Sequence, residues 1–308
     1  MTHPIPVAVV GVGKIARDQH LPAIAANRDF RLVAAVSRHG TVAGVPNFTD
    51  FDAFLAEGPQ AAVALCTPPA VRLDMALKAI AAGRDLLIEK PPAATLGEIE
   101  TIIAAARTAG VTLFATWHSR FAPAVAPAKA WLSGRVIDSV TITWKEDVRR
   151  WHPGQDWIWQ PGGFGVFDPG INALSILTEI LPGSMHVTTA TLEVPSNCAT
   201  PIGAVLAMTG PAGVPVQAAF DWRHEGLQTW DIAVEAGGHQ LRLSLGGAQL
   251  TIDGTPVDVG PEAEYSGIYR RFADLIAARA SDADIAPLRL CADAFLIGRQ
   301  IAVAPFTG

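Results

Sequence analysis

Apolar positions in the first 120 residues fall into short continuous runs, at residues 7–10, 31–36, 61–66, 86–88 and 111–115. Largely apolar runs of three to six residues bounded by turn residues read as strands buried on both faces. Between them the spacing becomes helical: from a glycine turn to about Asn27, over 71–82 with Gly83 closing the segment, and from Thr95 onward. The start Thr95-Leu-Gly-Glu98 has the form of a capping box. Strands separated by helices imply right-handed crossovers and a parallel, doubly wound sheet.

Beyond residue 120 the pattern changes. A helix over 123–132 precedes an alternating strand at 136–144, and a helix near 171–180 precedes a series of strands from 186 to 259. The pairs Gly237-Gly238, Gly246-Gly247 and Asp253-Gly254 supply the turn chemistry of antiparallel hairpins. Helices over 265–280 and 288–301 close the chain, and the last is expected to pack back on the first domain. The predicted architecture is α/β: a Rossmann-type domain over 1–120, then an α+β domain over 121–308. The second domain is expected to carry an open-faced, mostly antiparallel sheet and to serve substrate binding and oligomerisation. Its open face suits pairing with a second copy, so a homodimer is an expectation.

With 308 residues, half of them hydrophobic and 17% charged, the chain can bury a large core. A net charge of −6 without a Lys/Arg run argues against nucleic-acid or anionic-membrane surfaces. The uncharged stretch 194–220 is broken by four prolines, which argues against a membrane helix. Three scattered cysteines, Cys66, Cys198 and Cys291, lack metal-ligand spacing, and no metal site is expected. The first strand starts near Val7, leaving no room for a signal peptide, so a reduced, cytoplasmic protein is the expectation.

Candidate chemistry begins at Gly11-Val-Gly13-Lys14-Ile15-Ala16, between an apolar strand and a helix. Gly11 permits the tight turn, Gly13 lets a pyrophosphate approach the backbone, and Ala16 permits close helix–strand packing. Lys14 and Ile15 complete the cofactor loop, and the helix N-terminus offers N–H groups to the phosphates. The second strand ends in Ser37-Arg38 where an NAD-specific site would place an acid. A guanidinium there forks onto a 2′-phosphate, so NADP is expected to be preferred and NAD also accepted. The alternative is an ordinary solvated arginine. Thr67-Pro68 closes the third strand and is expected to lie along the cofactor.

Leu86-Leu-Ile-Glu89-Lys90-Pro91-Pro92 stops an apolar strand in a carboxylate, an amine and two prolines. Prolines cannot continue a central strand, so Lys90 falls at the carboxyl edge of the sheet, where such folds bind ligands. A lysine on a solvated helix face is the plainer reading. Further along, Trp144 is followed by Glu146, Trp151-His152 and Trp157-Ile-Trp159, so four of the eight tryptophans fall between 144 and 159. Polar groups interleaved with indoles suit a sugar; ordinary packing is the alternative for each. Trp117-His118 lies at the domain junction. Asp168-Pro169 could simply cap and start a helix. Alternatively, Asp168 and Asn172, four apart, share one helix face and can address one ligand.

Taken together, Gly11-x-Gly13-x-x-Ala16, Glu89-Lys90-Pro91 and Asp168-x-x-x-Asn172 resemble the glucose–fructose oxidoreductase and inositol dehydrogenase family over essentially the whole chain. Residues 144–159 and 168–174 are similar to its bacterial L-arabinose/D-galactose 1-dehydrogenases. The resemblance implies a Rossmann domain plus an open-faced sheet, NAD(P)-dependent oxidation of a cyclic aldose at C1, and a catalytic Lys90 that also contacts cofactor beside Glu89. The family's usual histidine is replaced by Asn172, which cannot accept a proton at neutral pH. Asp168 is then the expected proton acceptor, assisted by Lys90, with Asn172 orienting O1. His118, Glu146 and His152 are expected to hold ring hydroxyls, and Trp151 and Trp230 to pack on the ring. Another aldose or inositol dehydrogenase, or a non-catalytic NADP-binding regulator, are the rival readings.

Overall fold

Five short, largely apolar segments and the two-residue strand Asn47–Phe48 assemble into one parallel sheet. They are β1 (Ile5–Val10), β2 (Phe30–Val36), β3 (Asn47–Phe48), β4 (Ala62–Leu65), β5 (Leu86–Ile88) and β6 (Leu113–Ala115), in spatial order β3-β2-β1-β4-β5-β6. This is the strand order of a dinucleotide-binding Rossmann sheet. Leu86, Leu87 and Ile88 are fully buried, as expected for a strand covered on both faces. The computed structural model describes residues 3–307. It divides into two units, Met1–His118 with Glu264–Asp284, and Ser119–Ala263 with Ile285–Gly308.

The capping box forms as the sequence predicts: Glu98 N–H donates to Thr95 Oγ1 at 3.2 Å and Thr95 N–H to the Glu98 carboxylate at 3.2 Å. Asp50 caps a helix the sequence reading did not resolve, Phe51–Glu57, accepting from Ala53 N–H at 2.8 Å. The helix that joins the first unit is Glu264–Ala278, not the last one. Its apolar face carries Tyr265, Ile268, Tyr269, Phe272 and Leu275, all buried. Phe272 stacks on Phe30 at 5.6 Å and Tyr269 meets the same ring edge-on at 5.4 Å. An aromatic stripe meeting an aromatic surface decides the docking.

The second unit holds nine strands: β7 (Ile137–Lys145), β8 (His186–Pro195), β9 (Gly203–Thr209), β10 (Pro215–Asp221), β11 (Thr229–Ala236), β12 (His239–Ser244), β13 (Gln249–Ile252), β14 (Thr255–Val257) and β15 (Arg299–Val303). Their order is β14-β13-β12-β11-β7-β10-β9-β8-β15. The pairs β7–β10 and β8–β15 are parallel and the others antiparallel. Along β7, buried Val140, Ile142 and Trp144 alternate with more exposed Thr141, Thr143 and Lys145, so one face packs on the core and the other is open. Asp253 and Gly254, both with positive φ (50° and 76°), make the expected tight hairpin.

The expected terminal helix over 288–301 is corrected at its end. The helix is Ala286–Ile297, and residues Arg299–Val303 instead pair with β8. Gly298 leaves the helix in an extended conformation, where an added Cβ would lie 2.4 Å from the Ala294 carbonyl oxygen. Among the described residues no helix is long and apolar enough to cross a membrane.

Candidate active site

In the first unit, the loop after β1 takes the form the glycines require. Gly11 has φ +91° and lies against the end of β4, where a Cβ would meet the Cys66 carbonyl carbon and Thr67 N at 3.0 Å. At Gly13 a Cβ would meet nothing within 4 Å, so the backbone faces open space, and Ala16 is fully buried. This is a cradle that a dinucleotide pyrophosphate fits. The following helix widens into a π turn over Ala16–His20. Gly13→Ala is therefore expected to leave the unliganded protein's Tm within 2–3 °C (roughly a surface substitution) and to weaken NADP binding at least tenfold, as read by nicotinamide fluorescence titration.

The other cofactor candidates lie at the same carboxyl edge. Ser37 Oγ accepts Gly40 N–H at 3.2 Å, which turns the chain and leaves Arg38 exposed. Lys14 is exposed and pairs with Asp18; Ile15 lies 36% exposed beside it. Thr67 and Pro68 follow β4, Thr67 half-buried and Pro68 exposed, and the Thr67 carbonyl accepts Arg72 Nε–H at 2.7 Å. Lys90 is half-buried where β5 ends.

Glu89 departs from its expected role. It is 3% exposed, and both carboxylate oxygens bind protein groups rather than standing open to a cofactor. Oε1 accepts Tyr265 O–H at 2.9 Å and His20 Nε2–H at 3.0 Å; Oε2 accepts the Lys90 amide at 2.9 Å. His20, fully buried, also donates through Nδ1 to the Tyr269 hydroxyl at 2.8 Å. Burial alone would raise the Glu89 pKa, but the His20 hydrogen bond and charge, with His118 and Arg72, hold it at about 2. Burial would lower the His20 pKa, yet Cys66, Tyr269 and Glu89 keep it well above its ordinary value. The site thus contains a buried ion pair that sequence reading missed. His118 also differs from expectation: its Nδ1 pairs with Glu264 Oε2 at 2.7 Å, and its ring stacks on Tyr265.

In the second unit, β7 runs into the short helix Val148–Trp151, which carries Glu146, Trp151 and His152 to one place. Glu146, 3% exposed, accepts the indole N–H of Trp222 at 3.0 Å and of Trp230 at 2.7 Å. Each oxygen keeps further acceptor capacity. His152 lies between two carboxylates, with Nε2 3.7 Å from Glu146 Oε1 and Nδ1 3.6 Å from Asp168 Oδ2. Those separations exceed hydrogen-bond length, and Nδ1 is buried without a hydrogen-bond partner. Trp230 packs on Trp151 at 5.2 Å and Trp144 at 6.0 Å; Trp222 packs on His152 at 5.1 Å. Trp222, fully buried, was not anticipated; the only signal was its place at the end of a strand neighbouring β7.

Asp168 does not cap a helix. The helix begins at Phe167, after Val166, and Asp168 sits inside its first turn at 4% exposure. Asn172 follows one turn later, half-buried on the same face. An acid, an amide and an imidazole therefore share one apolar, indole-lined neighbourhood, a set that can hold polar hydroxyls and take a proton.

A Rossmann sheet with an open glycine cradle, joined in one chain to a unit carrying a buried carboxylate–imidazole–indole cluster, defines a dinucleotide-dependent oxidoreductase. Residues 5–116 match the family described as oxidoreductases with an NAD-binding Rossmann fold, GFO/IDH/MocA. A galactose 1-dehydrogenase of Pseudomonas fluorescens is 47% identical over 304 residues, covering 98% of this chain and 99% of that protein. The chain belongs to the GFO/IDH/MocA oxidoreductase family. The crystal structure of a D-galactose-1-dehydrogenase protein from Rhizobium etli superposes with a TM-score of 0.96 at 54% identity, covering 100% and 99% of the two chains. A 3-ketoreductase from Actinomadura kijaniata, crystallised with NADP, shares the fold (TM-score 0.85, 19% identity, 97% and 99% covered).

Proposed function

We propose that this protein oxidises a cyclic aldose at C1 to the aldonolactone, acting on D-galactose, L-arabinose and D-fucose. Full-length similarity to galactose 1-dehydrogenases carries this reading, and the indole-lined cluster of Glu146, His152 and Asp168 supports a sugar as substrate. D-Galactopyranose and L-arabinopyranose share ring stereochemistry and differ only in the C5 hydroxymethyl group, so a site reading ring hydroxyls takes both.

Bound nicotinamide supplies the acceptor for the hydride that leaves C1. Asp168 takes the proton of the C1 hydroxyl as the C1–O1 double bond forms, with Lys90 as the assisting catalytic group. Asn172 orients O1 through its carboxamide. His152, which lies between Asp168 and Glu146, meets a ring hydroxyl. Glu146 orients the indole of Trp230, against which the sugar C–H face packs together with Trp151. Gly11, Gly13, Lys14, Ile15, Ser37, Arg38, Thr67 and Pro68 hold the dinucleotide.

Turnover followed by nicotinamide absorbance, with five aldoses and both cofactors, tests this. D-Galactose, L-arabinose and D-fucose are expected to exceed D-glucose and D-xylose in kcat/KM. Absence of turnover on every aldose would leave a binding protein instead. Arg38 is exposed and makes no ion pair among the described residues, which suits a 2′-phosphate. Arg38→Ala is expected to lower the NADP/NAD ratio of kcat/KM at least tenfold, roughly the worth of one charge-assisted pair. An unchanged ratio makes Arg38 a plain loop residue.

A further inference from the structure

The hydrogen-bond ladder of the first sheet ends just before Lys90. Thr116 N–H still donates to Ile88 O at 2.9 Å, and Glu89 N–H to Leu65 O at 3.0 Å. Past that point Pro91 and Pro92 have no N–H to offer a neighbouring strand. Main-chain groups left at such a point must find other partners. Two buried side chains provide them. Glu89 Oε2 accepts the Lys90 amide at 2.9 Å. Arg72, 3% exposed at the start of the helix Arg72–Ala81, donates through one terminal nitrogen to the carbonyls of both Glu89 and Pro91. Its Nε donates to the Thr67 carbonyl at 2.7 Å, so the same guanidinium ties the end of β4 to the end of β5.

We propose that Arg72 and Glu89 are positioning residues for Lys90: together they grip the main chain on both sides of it and set where its ammonium is delivered. The guanidinium suits this because its rigid fork can span three carbonyls, which the point charge of a lysine cannot. Glu89 is itself anchored by Tyr265 and His20, so the grip has a fixed base. Neither residue touches substrate in this scheme; both act through Lys90. A misplacement of about 1 Å far from the chemistry can cost about 10²-fold in rate. The inference rests on the catalytic reading of Lys90 given above.

The test compares wild type, Arg72→Met, Arg72→Lys and Glu89→Gln. Single-turnover hydride transfer per bound NADP is independent of the folded fraction, and backbone hydrogen exchange of the peptide containing Lys90 needs no substrate. In Arg72→Met and Glu89→Gln the single-turnover rate is expected to fall about 10–100-fold, NADP Kd to stay within about threefold, and the Lys90 amide to exchange at least tenfold faster. Arg72→Lys, the mildest change, is expected to show the same pattern in smaller measure, which covers the event that Arg72→Met does not fold. Wild-type single-turnover rates in both Arg72→Lys and Glu89→Gln, or unchanged Lys90 exchange, overturn the proposal. If wild type itself oxidises no sugar, the sugar reading fails separately, and hydrogen exchange still decides the grip on Lys90.

Discussion

Asp168→Asn is expected to lower kcat on D-galactose by about 10²–10⁴-fold, the usual worth of a general base, with KM for the sugar changed by less than about fivefold. The isosteric amide keeps the shape and one acceptor oxygen but cannot take the proton. Loss of an N-cap residue cannot account for such an effect, because the N-cap of Phe167–Ile180 is Val166 and Asp168 lies inside the first turn. Asn172→Asp supplies a control at the next turn of the same helix: it restores a carboxylate without moving the backbone. Initial-rate kinetics on both variants and on Lys90→Met separate the roles. A wild-type kcat for Asp168→Asn would pass the proton to Lys90.

The second large effect concerns the buried pair of His20 and Glu89. Removing one partner, as in His20→Leu, strands a carboxylate that is 3% exposed, and breaking such a pair costs about 3–5 kcal/mol. For a protein of this size that lowers Tm by about 5–8 °C. The pH dependence follows from the two shifts. The Glu89 pKa falls from its ordinary 4.5 to about 2 on folding. Its contribution is therefore present above pH 4.5 and lost as pH falls toward 2. The His20 pKa is raised well above 6.5. Its contribution is full below pH 6.5 and lost as pH rises through the folded value. From this pair alone, stability should peak between about pH 4.5 and 6.5. Denaturant unfolding across pH checks it: Glu89→Gln should flatten the acid limb and His20→Leu the alkaline one. Parallel curves for wild type and variants would mean the pair is not ionised in the folded protein.

Both predictions depend on contacts of different legibility. Asp168 and Asn172 are four apart on one helix, so their shared face follows from local spacing. The His20–Glu89–Tyr265 cluster joins residues 69 and 176 positions apart, and no local period connects them. Likewise Trp222 and Trp230 reach Glu146 only because β10 and β11 flank β7 in the second sheet. The indoles near 144–159 marked the neighbourhood; the sheet order chose its partners.

What the amino-acid order alone determined was every feature set by short-range physics. Continuous apolar runs made the parallel strands, paired positive-φ turn residues made the hairpin, Thr95 and Glu98 made the cap, and two prolines stopped β5 beside Lys90. What only the tertiary structure decided was burial partnership. Glu264–Ala278 joined the first unit because its aromatic stripe met Phe30, and Arg299–Val303 became a strand because β8 had an unpaired edge. Glu89 became an anchor because a buried charge must find its counter-charge wherever the fold brings one.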